Sequence, residues 1–146
     1  MQERRFEILD HTADAAIRAY GQSAEELFEN AAQGMFALMF DLGEIPKTER
    51  RAFNLQGETA EDLLVSWLRE LLFSFETDHI AFSEFHVSSL SLPADGKAGS
   101  IVGEAVGGNC SHLIRLGAAV KAVTYHGLRI ERGESGAWEA EIVFDV

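Results

Sequence analysis

The sequence predicts an α+β fold, with two helices packed on a largely antiparallel β-sheet in a single domain over residues 1–146. Three observations carry that expectation. Residues 23–40 and 59–75 repeat apolar side chains at helical spacing. Alternating segments interleave with them, and from Phe82 onward only strand-like segments follow. A chain of 146 residues, 47% hydrophobic with ten Phe, buries a core without disulfides or a structural metal.

Phe6 to His11 alternates, with Phe6 and Ile8 on one face and Glu7, Leu9 and His11 on the other. Thr12 and Ala13 form a corner, Asp14 to Tyr20 alternates again, and Gly21 ends the run, so a hairpin is expected. S-A-E-E at 23–26 is a capping box. Its Ser23 hydroxyl accepts from the Glu26 N–H, and the Glu26 carboxylate reaches back to the Ser23 N–H. Leu27, Phe28, Ala31, Ala32, Met35, Leu38 and Met39 continue the helix, which is expected to stop near Phe40, before Gly43 and Pro46. Met35, Phe36 and Met39 read as core packing in preference to a ligand pocket.

Lys47 to Leu55 reads as a strand, and Thr59 caps a second helix with Asp62 three residues on. Its apolar stripe, from Leu63 and Leu64 through Trp67 to Phe75, is wide enough for a central helix buried on the sheet. Phe82 to Leu92 is expected to be a strand, 93–96 a turn and Ser100 to Val106 another strand, broken by Gly107-Gly108-Asn109. Ala118 to Tyr125 is strand-like, with Lys121 and Val123 on one face and Val120, Ala122 and Thr124 on the other. Leu128 to Glu131 and Trp138 to Phe144 flank G-E-S-G as a closing hairpin.

Composition narrows the function. The net charge of -12 disfavours direct, tight binding to phosphate backbones and suits a partner with a positive surface. The plainer reading of that charge is solubility. The opening M-Q-E-R-R-F lacks the apolar core of a signal peptide, and charges interrupt the apolar stretches, so neither secretion nor membrane insertion is expected. The single Cys110 excludes an internal disulfide and fits a reducing, cytoplasmic setting. It has no obvious base beside it, and no P-loop, GxGxxG or GxSxG motif is present.

Two places carry candidate chemistry. F-E-I-L-D-H-T-A-D at 6–14 crowds Asp10, His11, Thr12 and Asp14 into five residues. In the last strand Ala140, Ile142 and Phe144 share a face, while Glu139, Glu141, Val143 and Asp145 share the other, so Asp145 falls off the core register beside Val146. If the strands bearing Asp14 and Asp145 are neighbours, two carboxylates meet at one sheet margin. They then need a cation, a shared proton or a lysine, for which Lys121 is the candidate. Mg²⁺, Ca²⁺ or Mn²⁺ would suit such oxygen donors. Solvated strand-end carboxylates are the alternative. His11 reads either as a ligand or, as is commoner at such a corner, as a structural residue that orients the loop; Glu104 ranks third as a carboxylate, and His112 and His126 lack metal-ligand spacing.

With both ends in view, the chain resembles the archease family. The resemblance rests on F-E-I-L-D-H-T-A-D at 6–14, the S-A-E-E-L-F-E-N-A-A helix from Ser23, V-K-A-V-T-Y-H at 120–126 and the closing W-E-A-E-I-V-F-D-V. It extends over essentially the whole length; the segment from Gly107 to Gly117 matches least. The resemblance implies an accessory protein of the RNA-splicing ligase that joins cyclic- or 3′-phosphate ends to 5′-hydroxyl ends. It implies help in forming the guanylylated ligase and in repeated turnover, during tRNA splicing or RNA repair, with GTP bound by the ligase and a divalent metal, usually Mn²⁺, used by it. It also implies that Asp14, Lys121 and Asp145 are functional positions, and that Asp14, Asp145 and the Val146 backbone form a metal site. Two rival readings remain: a free-standing metal-dependent phosphoester hydrolase, and a general chaperone or interaction module.

Overall fold

The computed structural model describes residues 4–9, 14–117 and 119–146. The first two alternating runs become β1 (Phe6–Leu9) and β2 (Ala15–Gly21), an antiparallel pair with Phe6 opposite Ala19. The corner at Asp10, His11, Thr12 and Ala13 lies outside the described residues. Helix α1 (Ala24–Ala37) follows, and then a single 3-10 turn at Leu42–Glu44. Strand β3 (Glu49–Gly57) leads to helix α2 (Ala60–Asp78). The chain then forms β4 (Ile80–Ser91), β5 (Gly99–Asn109), β6 (Ala122–Val123), β7 (Arg129–Arg132) and β8 (Trp138–Asp145).

The antiparallel sheet expected from the sequence is divided in two. One sheet runs β1-β2-β8-β6, with β7 also paired to β8, and the other runs β3-β5-β4. Both helices touch both sheets: α1 packs on β2, β8 and β4, and α2 on β3, β4 and β5 as well as β6 and β7. That placement explains why the apolar stripe of α2 is so wide. Trp67 is fully buried there, with its indole N–H donating to the Phe28 carbonyl at 3.0 Å. Phe36, Phe53, Phe82 and Phe85 meet edge to face or stacked around it. Met35, Phe36 and Met39 are core residues.

The helix caps follow the sequence signals with one change. Ser23 Oγ accepts from the Glu26 N–H at 3.1 Å, and Thr59 Oγ1 from the Asp62 N–H at 3.0 Å. The Glu26 carboxylate, however, accepts from the Gln22 N–H at 3.4 Å and not from that of Ser23. Helix α1 also ends at Ala37, three residues before Phe40, because the chain tightens there: the Met39 N–H donates to Phe36 O. At the tip of the β4–β5 hairpin Asp95 and Gly96 both take positive φ, 52° and 75°, the pair of conformations that a two-residue hairpin turn requires.

Two strand expectations need correction. Gly107-Gly108-Asn109 does not break β5, which runs through Asn109. The glycines serve close approach: a Cβ on Gly107 would lie 1.8 Å from the Ala81 carbonyl oxygen of the adjoining β4. The stretch 118–125 is not a continuous strand, since only Ala122–Val123 pairs with β8. Ala118 lies outside the described residues. Val120 and Val123 are both buried, so strict alternation fails there.

The outer face of the first sheet carries a ladder of alternating charge. The register sets Glu7 opposite Arg18, Arg18 opposite Glu141, and Glu141 opposite Arg129, across four strands. Arg18 reaches Glu7 at 3.1 Å and Glu141 at 2.6 Å, and Arg129 reaches Glu139 at 3.1 Å. The Tyr20 hydroxyl, aided by Arg4 and Arg18, holds the Glu7 carboxyl below its ordinary value of 4.5. Arg18, with Arg129 behind it, does the same for Glu141.

Two measurable consequences arise. Gly107→Ala is expected to destabilise the protein by about 1–3 kcal/mol, read from a denaturant titration, because neither backbone can yield cheaply. The depressed carboxyls bind protons less readily when folded than when unfolded, so their stabilisation is present above pH 4.5 and is lost as pH falls below it. Arg18→Gln is therefore expected to lower Tm at neutral pH and to flatten the fall of Tm on acidification below that value, as followed by thermal melts across pH.

Candidate functional site

The ends of three strands converge at one margin of the first sheet. Strands β2 and β8 are antiparallel with Ala15 opposite Phe144, and one further step along that register sets Asp14 opposite Asp145. On the other side of β8, Ala122 of β6 lies opposite Asp145, and the Lys121 N–H donates to the Asp145 carbonyl at 2.8 Å. Asp14, Lys121 and Asp145 are thereby brought together from three distant parts of the chain. Phe144 is fully buried, so alternation turns Asp145 outward. Asp145 and Lys121 are exposed, Asp14 is half-buried, and Val146 follows with 37% exposure.

A two-residue strand is a weak mount, and β6 is held by more than its ladder. Val120 and Val123 are inserted into the core on either side of Lys121, and the Val120 N–H points to Met39 Sδ at 3.3 Å. Thr124 donates both its N–H, at 3.2 Å, and its hydroxyl, at 3.0 Å, to the Val143 carbonyl. Helix α2 supplies a brace: Arg69 Nη2 donates to the Val123 carbonyl at 3.2 Å, and its guanidinium lies 5.4 Å from the centre of the Tyr125 ring. The Tyr125 hydroxyl donates to Asp62 at 2.7 Å, a bond that raises the phenol pKa above its usual value.

The remaining candidates lie elsewhere. Glu104 belongs to the second sheet and pairs with Arg50 at 2.9 Å. His112 lies in the loop between β5 and β6. Cys110 is buried, burial raises its thiol pKa, and its Sγ–H faces the His79 carbonyl at 3.2 Å, which suits packing and not nucleophilic attack. Asp10 and His11 lie outside the described residues. Sequence reasoning missed Asp62, Arg69 and Tyr125. Asp62 and Arg69 are seven residues apart, two helical turns on one face, a signal that was legible without showing what that face meets.

The donors at this margin are carboxylate and backbone oxygens, which match hard divalent cations and not the nitrogen or sulfur preference of zinc or copper. Among the described residues no group of three or more His, Cys, Asp or Glu gathers to form a fuller cage. The Asp145 carbonyl accepts from the Lys121 N–H, and the exposed Asp145 carboxylate and the Val146 backbone oxygen are further oxygen donors beside it. Removing the brace tests its hold on this margin. In Arg69→Ala, amide exchange at Lys121 and Thr124 is expected to quicken about five- to tenfold, with the core strands unchanged, the effect of losing one hydrogen bond and one cation–π contact.

Known proteins place the chain. A model of the Archease protein family matches residues 6–146. Protein archease of Methanosarcina barkeri is 39% identical over 146 residues, covering 99% of this chain and 98% of the relative. Protein archease of Methanothermobacter thermautotrophicus is 38% identical over 141 residues, covering 97% of this chain and 98% of its own. The solution structure of Methanobacterium thermoautotrophicum protein 1598 superposes with a TM-score of 0.78 at 33% identity, covering 97% of this chain and 99% of that one. The crystal structure of an archease from Thermotoga maritima, described as a possible chaperone, shares the fold with a TM-score of 0.60 at 23% identity, covering 100% and 98%. Matched along nearly its whole length by family model, relatives and solved structures, the chain belongs to the archease family.

Proposed function

We propose that this protein is an accessory factor that activates a cytoplasmic RNA-splicing ligase, promoting the ligase's GTP-dependent guanylylation and its repeated turnover in tRNA splicing or RNA repair. The observation that carries the reading is the meeting of Asp14, Lys121 and Asp145 at one sheet margin, in a chain of the archease family. The net charge of -12 supports a protein partner with a positive surface over direct contact with RNA. Among the described residues no helix is long and apolar enough to cross a membrane.

In this reading Asp14, Asp145 and the backbone oxygen of Val146 hold a divalent cation, Ca²⁺, Mg²⁺ or Mn²⁺. When bound, the cation supplies positive charge for phosphate oxygens at the ligase's nucleotide site. Lys121 offsets the repulsion of the two carboxylates and offers a second positive charge to a nucleotide phosphate. The brace from α2 keeps Lys121 in register with Asp145. GTP is bound by the ligase, and this chain performs no chemistry of its own.

The test is a ligation assay under multiple-turnover conditions, with and without this protein. Wild type is expected to raise the number of turnovers. Asp145→Ala is expected to remove the gain while leaving Tm nearly unchanged, because the side chain is exposed. Full stimulation by that variant would remove Asp145 from the site. No stimulation by wild type, together with phosphoester turnover by the isolated protein that Asp14→Asn abolishes, would replace the accessory reading with a hydrolase.

A further inference from the structure

Residues 110–117, which follow β5, present apolar side chains to solvent from a backbone held by hydrogen bonds. Ile114 is 85% exposed and Leu116 64% exposed. Single exposed aliphatics are ordinary on protein surfaces. Here the two adjoin a groove of about 530 Å³, which they line with Phe40, Leu113, Asp41 and Glu44.

The loop is held at several points. The Cys110 N–H donates to His79 O at 2.8 Å, the Leu113 N–H to Cys110 O at 3.0 Å and the Leu116 N–H to Met39 O at 2.8 Å. The Arg115 guanidinium rests over the rings of Phe75 at 5.1 Å and Phe40 at 5.9 Å. A segment anchored on both sides of Ile114 that still leaves Ile114 and Leu116 in water has already met the ordering cost that docking would otherwise impose.

The position of the loop matters as much as its composition. Strand β2 runs away from Asp14, and α1 runs back along it, with Gly34 of α1 facing Ile17. The C-terminal end of α1, where Leu116 is bonded to Met39, therefore lies toward the same end of the molecule as Asp14. The loop itself leads directly into Lys121. The groove is lined by the carboxylates of Asp41 and Glu44 and by His112, while the exposed Arg115 keeps its positive charge over the rings of Phe75 and Phe40, away from that lining. Two copies of a chain of net charge -12 meeting through this surface would face like charge with like charge.

We infer that Ile114 and Leu116 form a docking knob for a partner protein, one that offers an apolar socket bordered by Lys or Arg, and that this knob sets affinity while the neighbouring carboxylate margin acts on the docked partner. Naming the RNA-splicing ligase as that partner rests on the function proposed above.

The experiment measures two things for the full-length protein: its Kd for the ligase by titration calorimetry, and its stimulation of ligation as a function of concentration. For the double variant Ile114→Ser/Leu116→Ser the Kd is expected to rise about tenfold or more, the scale of losing buried anchor side chains. The half-saturating concentration should rise by the same factor, with the stimulation at saturation retained. An unchanged Kd overturns the knob. If wild type binds the ligase without stimulating it, the proposed function fails while the Kd comparison still decides the knob. If wild type does not bind the ligase, both fail. Sedimentation showing a wild-type dimer that the double variant cannot form assigns the surface to a second copy and overturns the partner. Capture of an unfolded model protein by wild type but not by the double variant assigns it to non-native chains, with the same result.

Discussion

The pairing of β2 with β8 is the constraint from which the rest of the structure takes its arrangement. It joins the second strand of the chain to the last, over seven consecutive residue pairs from Ala15–Phe144 to Gly21–Trp138. Its inner face places Ile17, Ala19, Ala140, Ile142 and Phe144 in the core under α1. Its outer face sets Arg18 against Glu141 at the centre of the charge ladder. A slip of one residue would turn both sets over, burying the charges and exposing the aliphatics, so hydrophobic and ionic patterning fix one register together. That register is also what faces Asp14 with Asp145. The candidate site is thus a by-product of how the core closes.

The two charged regions of the first sheet differ in kind. On its outer face the ladder alternates in sign from Glu7 through Arg18 and Glu141 to Arg129, and hydroxyl and guanidinium donors favour the ionised forms of Glu7 and Glu141. At the margin the register sets Asp14 opposite Asp145, and the Lys121 N–H is bonded to the Asp145 carbonyl. The ladder is a solution to a folding problem. The margin gathers carboxylate and backbone oxygens, and in the function proposed above their complement is a cation or a partner.

Much of this was legible in the sequence, for identifiable reasons. The outward turn of Asp145 followed from simple alternation against Ile142 and Phe144. Capping residues Ser23 and Thr59 marked both helices, since a hydroxyl three residues before an acidic side chain has few other uses at such a point. What could not be read were effects of tertiary contact. Gly107 and Gly108 have the composition of a break, yet Gly107 lets β4 approach too closely for a Cβ, and Gly108 does the same for the Pro46–Thr48 segment that leads into β3. The residues around Lys121 alternate on paper, but Val120 is drawn to Met39, so the strand shrinks to two residues. Division of the expected sheet into two arises because each helix is apolar enough to be covered on both sides. The brace from Arg69 joins residues 54 positions apart, beyond the reach of any local pattern.

A site built from positions 14 and 145 also has a history in time. During synthesis the N-terminal strand emerges early and must wait for almost the entire chain before its neighbour arrives. Helices α1 and α2 and the β3-β5-β4 sheet contain their own contacts within residues 24–109 and are free to organise first. The carboxylate margin is then among the last features to exist, and its closure carries the entropy of a very long loop. A chain shortened by a few C-terminal residues would keep nearly all of its apolar core and lose the margin altogether. The candidate site therefore depends on the last strand more strictly than compactness does.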